Sequence, residues 1–290
     1  MNTIREIARA KVNLTLRVTG RRSDGYHELE SLVVFADIGD LLTFTPGAAR
    51  MVTVEGPYAR DIVGENLVAV ALERLAVAAP GLLLGSVTLQ KDIPVAAGLG
   101  GGSADAAALI RAVMRANPDA VARFDWSAFA ARLGADVPVC LAQAPAHMWG
   151  IGDKLRPVLQ MPRLHAVLVR PSVAAPPDKT AQVFRQIAAP PVGEAGCEPE
   201  PLPAFVTASD AVDYLTRHGN DLTAAAHRVM PATADAERAL ATCTGCRLAR
   251  MSGAGPSCFG LFDTREAARA AADGLSQTYP DWWVQAVTLG

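Results

Sequence analysis

The sequence is poor in the features that mark membrane, secreted or nucleic-acid-binding chains. No stretch of its 290 residues approaches the ~18–20 consecutive apolar residues that a bilayer-spanning helix needs. The N-terminus MNTIREIARAKVNL places Arg5, Glu6, Arg9 and Lys11 where a signal peptide would have its apolar core. A soluble, cytoplasmic protein is expected. Cysteine is scarce: Cys140, Cys197, Cys243, Cys246 and Cys258 are too few and too scattered for a secreted disulfide scaffold. Cys243 and Cys246 form a lone CxxC without the second ligand pair that zinc would need, and they read as reduced thiols beside a turn. Basic runs are lacking as well. Lys+Arg 27 against Asp+Glu 29 gives a formal charge of −2, which excludes a broad surface for nucleic acid or anionic lipid. An anionic substrate must then be held by local backbone donors and a few cations.

Charged residues make up only 19% of the chain and hydrophobic ones 50%, the balance of a compact globular protein. Its length allows one large domain or two ordinary ones. Val12, Leu14 and Leu16 alternate with polar residues as in a half-buried strand. Residues 21–25 carry turn chemistry, and Leu32–Phe35 and Leu41–Phe44 read as two strands parted by a polar bend at Gly39-Asp40. Val52 and Val54 suggest another short strand. Leu67, Val70, Ala71 and Leu75 recur at helical spacing until Pro80-Gly81, and Val87–Gln90 is again strand-like. After Ser103, a helical face of Ala106, Leu109, Ile110, Val113 and Met114 runs to Asn117-Pro118. The region from Pro171 to Pro203, with Pro176-Pro177 and Pro190-Pro191, is rich in proline, and its later part reads as an exposed loop. The tail alternates strand (Cys258–Phe262), helix (Glu266–Leu275) and strand (Trp283–Leu289). The pattern is mixed α+β in two lobes, with a boundary near Leu155.

Four segments carry candidate chemistry. The most informative runs from Pro94 through Gly98, Leu99, Gly100, Gly101, Gly102 and Ser103 to Ala104 and Asp105, between a strand and a helix. Clustered glycines let backbone N–H groups approach an anion without Cβ interference, and the following helix points its positive end at the same place. A polyphosphate fits; the plainer alternative is a flexible turn with Ser103 as helix N-cap. The run lacks the Gly-Lys-Ser/Thr of a Walker A loop, and no strand-ending acid stands where a dinucleotide fold would place one. Lys11 and Asn13 share one strand face, either to meet substrate oxygens or as an ordinary polar edge. Asp136, in Leu133–Pro138, can accept a substrate proton or cap a helix that has Pro138 in its first turn. Met251–Ser257 is either a second backbone nest or a connecting turn.

Taken in this order, Ala10–Leu14, Arg22–His27, Pro94–Asp105, Gly134–Pro138 and Ser252–Pro256 resemble the GHMP kinases over nearly the full length. Asn66-Leu67 and Asn220–Leu222 also fit. Within that family, Asp24–His27 resembles members whose acceptor is a cytidine diphosphate-linked methylerythritol. The resemblance implies an α+β, two-lobed GHMP kinase fold: an N-terminal ATP-binding lobe like ribosomal protein S5 domain 2 over residues 1–155, and a ferredoxin-like C-terminal lobe over 156–290. It implies ATP with Mg²⁺, the phosphates lying on Pro94 and Gly98–Ala104, and transfer of the γ-phosphoryl to an alcohol. By the same resemblance Asp136 is the catalytic base and Lys11 its electrostatic partner. Asn13 positions the methylerythritol end, Tyr26 and His27 line the cytidine pocket, and Phe184 stacks on the cytosine. A small-molecule enzyme, monomeric or homodimeric, is expected. The chain departs from the family at His147–Asp153, where Trp149 replaces a charged residue and Asp153 a glutamate. The alternatives are a relative acting on another alcohol, such as homoserine or a sugar, and a silent nucleotide-binding regulator.

Overall fold

The computed structural model describes residues 2–173, 176, 178–193 and 198–290; Cys197 and Pro177 lie outside the described residues. The chain begins β1 (Ile4–Asn13), β2 (Arg17–Arg21), β3 (His27–Pro46), β4 (Val52–Glu55), α1 (Leu67–Ala78) and β5 (Gly85–Gln90). It continues α2 (Gly101–Ala116), α3 (Trp126–Leu133), α4 (Val137–Ala142), β6 (Ala146–Gly150), β7 (Lys154–Pro157) and β8 (Leu164–Arg170). It ends α5 (Lys179–Arg185), α6 (Ala208–Arg217), α7 (Thr223–Val229), α8 (Ala232–Ala241), β9 (Cys246–Met251), β10 (Cys258–Phe262), α9 (Arg265–Thr278) and β11 (Trp283–Leu289). Among the described residues no helix is long and apolar enough to cross a membrane.

Two compact units share these elements: residues 1–11, 38–96 and 100–143 form the first, and 12–37, 97–99 and 144–290 the second. In the first unit the later half of β3 pairs antiparallel with β5, Leu41 opposite Gln90, and β4 adds parallel to β5, Val52 opposite Val87. Asn66 starts α1 by accepting the Val68 N–H at 2.8 Å. Helix α2 buries Ala104, Ala106, Ala107, Ala108 and Ala112 with Leu109, Ile110 and Val113, and these small side chains let it pack closely on α1 and α4.

In the second unit β11, β8, β10 and β9 make consecutive antiparallel pairs, with Trp283 opposite Arg170 and Cys258 between Val169 and Met251. Ala236, Ala239 and Leu240 of α8 and Ala268, Ala272 and Leu275 of α9 share a core with Val167, Val169 and Phe262 of those strands. The earlier half of β3 pairs antiparallel with β2 and β6, and Ala36 meets Leu289 of β11. The turn at 22–26 closes on a 3.1 Å bond from the Gly25 N–H to the Arg22 carbonyl.

The expected break at Gly39-Asp40 does not exist; β3 is one continuous strand of 20 residues that includes both. Gly39 is there for close approach, because a Cβ would lie 2.3 Å from the Ala8 carbonyl oxygen. Asp40 is fully buried and accepts the N–H groups of Asp92 at 2.6 Å and Ile93 at 2.8 Å. A glycine and an aspartate usually announce a turn; here one is a packing site and the other an internal hydrogen-bond hub. Strand β1 also lies further toward the N-terminus than the Val12–Leu16 alternation indicates, ending at Asn13. Residues 198–206 are irregular, as expected of the proline-rich segment, although Phe205 within them is buried. Cys243, after α8, and Cys246, the first residue of β9, are free thiols, and burial pushes both above the ordinary thiol range.

Candidate active site

Helix α2 begins at Gly101, so its N-cap is Gly100 and not Ser103; Ser103 lies in the first turn. Gly100 has φ +67 and supplies no side-chain cap, which leaves the first amides of α2 available to an external acceptor. Gly98 also has positive φ (+81), and a Cβ there would lie 2.4 Å from the Gly255 carbonyl oxygen. A Cβ on Gly102 would meet nothing within 4 Å, so this exposed position opens on free space. Pro94, Leu99 and Ala104 are buried and anchor the loop apolarly.

Lys11 is only 4% exposed and is no solvated edge residue. Its Nζ lies 2.9 Å from Asp136 Oδ1. Asp136 does stand at the N-cap position of α4, with Pro138 in the first turn, yet its side chain caps nothing. It is committed to Lys11 instead, and at 36% side-chain exposure it remains reachable. A Cβ on Gly100 would come 3.1 Å from Lys11 Cβ, so lysine, carboxylate and Gly100 of the glycine loop are neighbours within the first unit. An ammonium, a reachable carboxylate and unpaired helix amides can neutralise a phosphoryl group and receive a hydroxyl proton.

The second unit holds the other candidates. Asn13, 3% exposed, donates from Nδ2 to Ser31 Oγ at 2.8 Å, and its backbone N–H donates to Ser252 Oγ at 3.1 Å. Asn220 Nδ2 donates to the carbonyls of Met251 at 3.0 Å and Gly253 at 2.8 Å and so holds the turn after β9. Lys179, buried on α5, donates to the Gly255 carbonyl of that turn. The turn is therefore a braced structure and not a slack connection. His27 and Phe184 are in ring contact, centroids 5.0 Å apart, while Tyr26 is 60% exposed. His27 Nε2 is buried without a partner among the described residues, and burial together with Arg21 lowers its pKa. The departures at 147–153 serve the β6–β7 hairpin. Arg156 lies 5.3 Å over the Trp149 ring, Asp153 Oδ1 accepts the Ile151 N–H at 3.1 Å, and His147 Nε2 is 2.9 Å from Glu30 Oε1.

Sequence reasoning missed Lys179, Asp40 and Lys91, and it quoted Asp105 without giving it a role. Asp40, Lys91 and Asp105 form a buried cluster behind α2. The signal that could have found Lys91 is a lysine directly after strand-like residues and before a buried Pro94. Nothing local marks Asp40 as its partner, since the two are 51 positions apart.

Comparisons with known proteins show the family. The GHMP kinases N terminal domain matches residues 66–144, which hold the glycine loop and Asp136, and the GHMP kinases C terminal domain matches 208–281. A 4-diphosphocytidyl-2-C-methyl-D-erythritol kinase from Rhodopseudomonas palustris (strain ATCC BAA-98 / CGA009) is 48% identical, over 99% of this chain and 97% of its own length. One of the same name from Parvibaculum lavamentivorans is 45% identical, over 99% and 98%. A crystal structure of 4-(cytidine 5'-diphospho)-2C-methyl-D-erythritol kinase superposes with TM-score 0.75 at 34% identity, covering 99% of both chains. The chain belongs to the GHMP kinases, an α+β family of ATP-using kinases.

Proposed function

We propose that the protein is a cytoplasmic 4-diphosphocytidyl-2-C-methyl-D-erythritol kinase, moving the γ-phosphoryl of ATP to the acceptor's 2-hydroxyl in the non-mevalonate isoprenoid precursor pathway. The observation that carries the chemistry is the 2.9 Å Lys11–Asp136 pair beside Gly100. In-line transfer needs an oriented hydroxyl, a place for its proton and positive charge around the moving phosphoryl. Asp136 takes the proton as the acceptor oxygen bonds to phosphorus and the bond to ADP breaks. Lys11 holds Asp136 in place and faces the developing charge. The first amides of α2 hold the ATP phosphates. Among the described residues no group of three or more His, Cys, Asp or Glu side chains could hold a metal. Mg²⁺ commonly keeps several waters and binds through substrate phosphates, so it enters here as part of the nucleotide substrate.

The acceptor is assigned from the names of the relatives and from the second unit's residues. Tyr26, His27 and Phe184 offer aromatic faces to a cytosine, and Asn13 offers an amide to the methylerythritol end. Coupled ADP release with the cytidylyl acceptor, homoserine and galactose tests the assignment. Turnover of the cytidylyl compound alone is expected; turnover of homoserine or galactose in its place would refute the assignment.

A further inference from the structure

Behind the start of α2 three charged side chains are shut away from solvent. Lys91 is 3% exposed, Asp105 3% and Asp40 0%. Lys91 Nζ donates to Asp105 Oδ2 at 2.8 Å and also to Asp40 Oδ2. The other Asp40 oxygen is occupied by the N–H groups of Asp92 and Ile93. Asp105 Oδ1 is buried with no partner among the described residues. The cluster ties the middle of β3, the segment leaving β5 and the first turns of α2 into one knot. It sits directly against the phosphate loop, because a Cβ on Gly101 would lie 3.1 Å from Lys91 Nζ and 4.0 Å from Asp40 Oδ2.

The charges do not balance if every group is ionised. One ammonium between two carboxylates leaves a buried net charge of about −1, which a low-dielectric site resists by retaining a proton. We propose that Asp105 is a positioning residue for the nucleotide: with Lys91 and Asp40 it fixes the phosphate-binding end of α2, and its proton sets the charge behind that end. The proposal rests on the assignment of Gly98–Ser103 to the ATP phosphates. An unpartnered oxygen is what a carboxylic acid sharing its site with a second carboxylate would leave. Burial pushes Asp105 up to about 8, with Asp40 adding and Lys91 opposing. Burial draws the Lys91 ammonium down, but Asp105 and Asp40 outweigh it and hold Lys91 above its ordinary range.

The other charged groups around this part of α2 are accounted for. Cys140 on α4 is pushed up to about 12 by burial and by Asp136, so its thiol stays neutral throughout. Lys11 is paired with Asp136, and Arg111 on α2 with Glu6 at 3.0 Å. Loss of the Asp105 proton thus places a new negative charge behind amides that must hold phosphate, and ATP binding weakens as pH rises.

The test is ATP affinity of the full-length protein, measured with fluorescent ATP and Mg²⁺ and without acceptor, from about pH 6.5 to about pH 9.5. In the parent, Kd is expected to be level to about pH 7.5 and then to rise on the order of tenfold. Asp105→Asn holds the neutral form at every pH, and its curve should be flat. In turnover assays the step should appear in KM for ATP and not in kcat at saturating nucleotide. A flat parent curve, or parent and Asp105→Asn curves rising in parallel, would overturn the proposal while leaving the kinase assignment intact. A folded protein that binds no ATP at any pH would remove the phosphate loop assignment and this proposal together. If Asp105→Asn does not fold, a flat parent curve still overturns the proposal, and Asp105→Ser, also neutral at every pH, replaces it in the comparison.

Discussion

Asp136 shows how a single contact favours one reading of a residue over another. A Gly-Ala-Asp-Val-Pro segment serves a helix cap and a catalytic carboxylate equally well. The structure puts Asp136 at the cap position but spends its oxygen on Lys11. Asp136→Asn should therefore lower kcat by about 10²–10⁴-fold, the usual worth of a positioned base, with ATP affinity little changed. Its melting temperature should also fall, because the substitution leaves the buried Lys11 ammonium without its counter-charge. An unchanged kcat would make Asp136 structural. Phe184 offers a second test at this scale. Loss of its ring should raise KM for the cytidylyl acceptor about threefold to tenfold, the range of a 0.5–1.5 kcal/mol aromatic contact, while KM for ATP stays put. Equal weakening of both ligands would remove Phe184 from the acceptor site.

At the scale of elements, α1, α2, β4, β5 and β11 were legible because their apolar spacing, caps and stops all lie within the segment itself. Asn66, Pro80-Gly81 and Asn117-Pro118 act on their immediate neighbours. The exception is β3. Its Gly39-Asp40 pair mimics a turn, and only contacts with Ala8 and with Asp92 and Ile93 explain it. Gly39→Val forces a side chain into the Ala8 backbone and should cost about 1–3 kcal/mol in chemical denaturation, the range for overpacking. Gly81→Ala, with nothing within 4 Å of its Cβ, is the control and should stay within about 0.5 kcal/mol. Equal effects of the two would mean that β1 does not press on β3 as described.

For the whole molecule, the buried cluster makes stability depend on pH with a definite sign. The folded-state pKa of Asp105 lies near 8, above its unfolded value of 3.8. The folded state therefore holds a proton that the unfolded chain releases. Its contribution is complete below about pH 4 and is lost as pH rises through about 8. His147 acts oppositely: burial lowers its pKa despite Glu30, so its contribution fades as pH falls below about 6.5. Asp105→Asn should then melt level with the parent near pH 4 and several degrees above it near pH 9. A difference that is constant across that range would show that Asp105 ionises normally in the folded protein.

The sequence by itself determined the kind of molecule: a mixed α+β kinase with a glycine-rich loop and the Lys11, Asn13 and Asp136 segments. Motif residues carry that information because backbone freedom, helix starts and charge are local properties of a few adjacent side chains. Only the tertiary structure decided that Ser103 is not the cap, that Asp136 belongs to Lys11 and that His27, not Tyr26, meets Phe184. It alone joined Asp40 to Lys91 and Asp105. Each of these pairings spans tens to hundreds of positions, and chain order says nothing about which distant charges are buried together until folding has excluded the water between them.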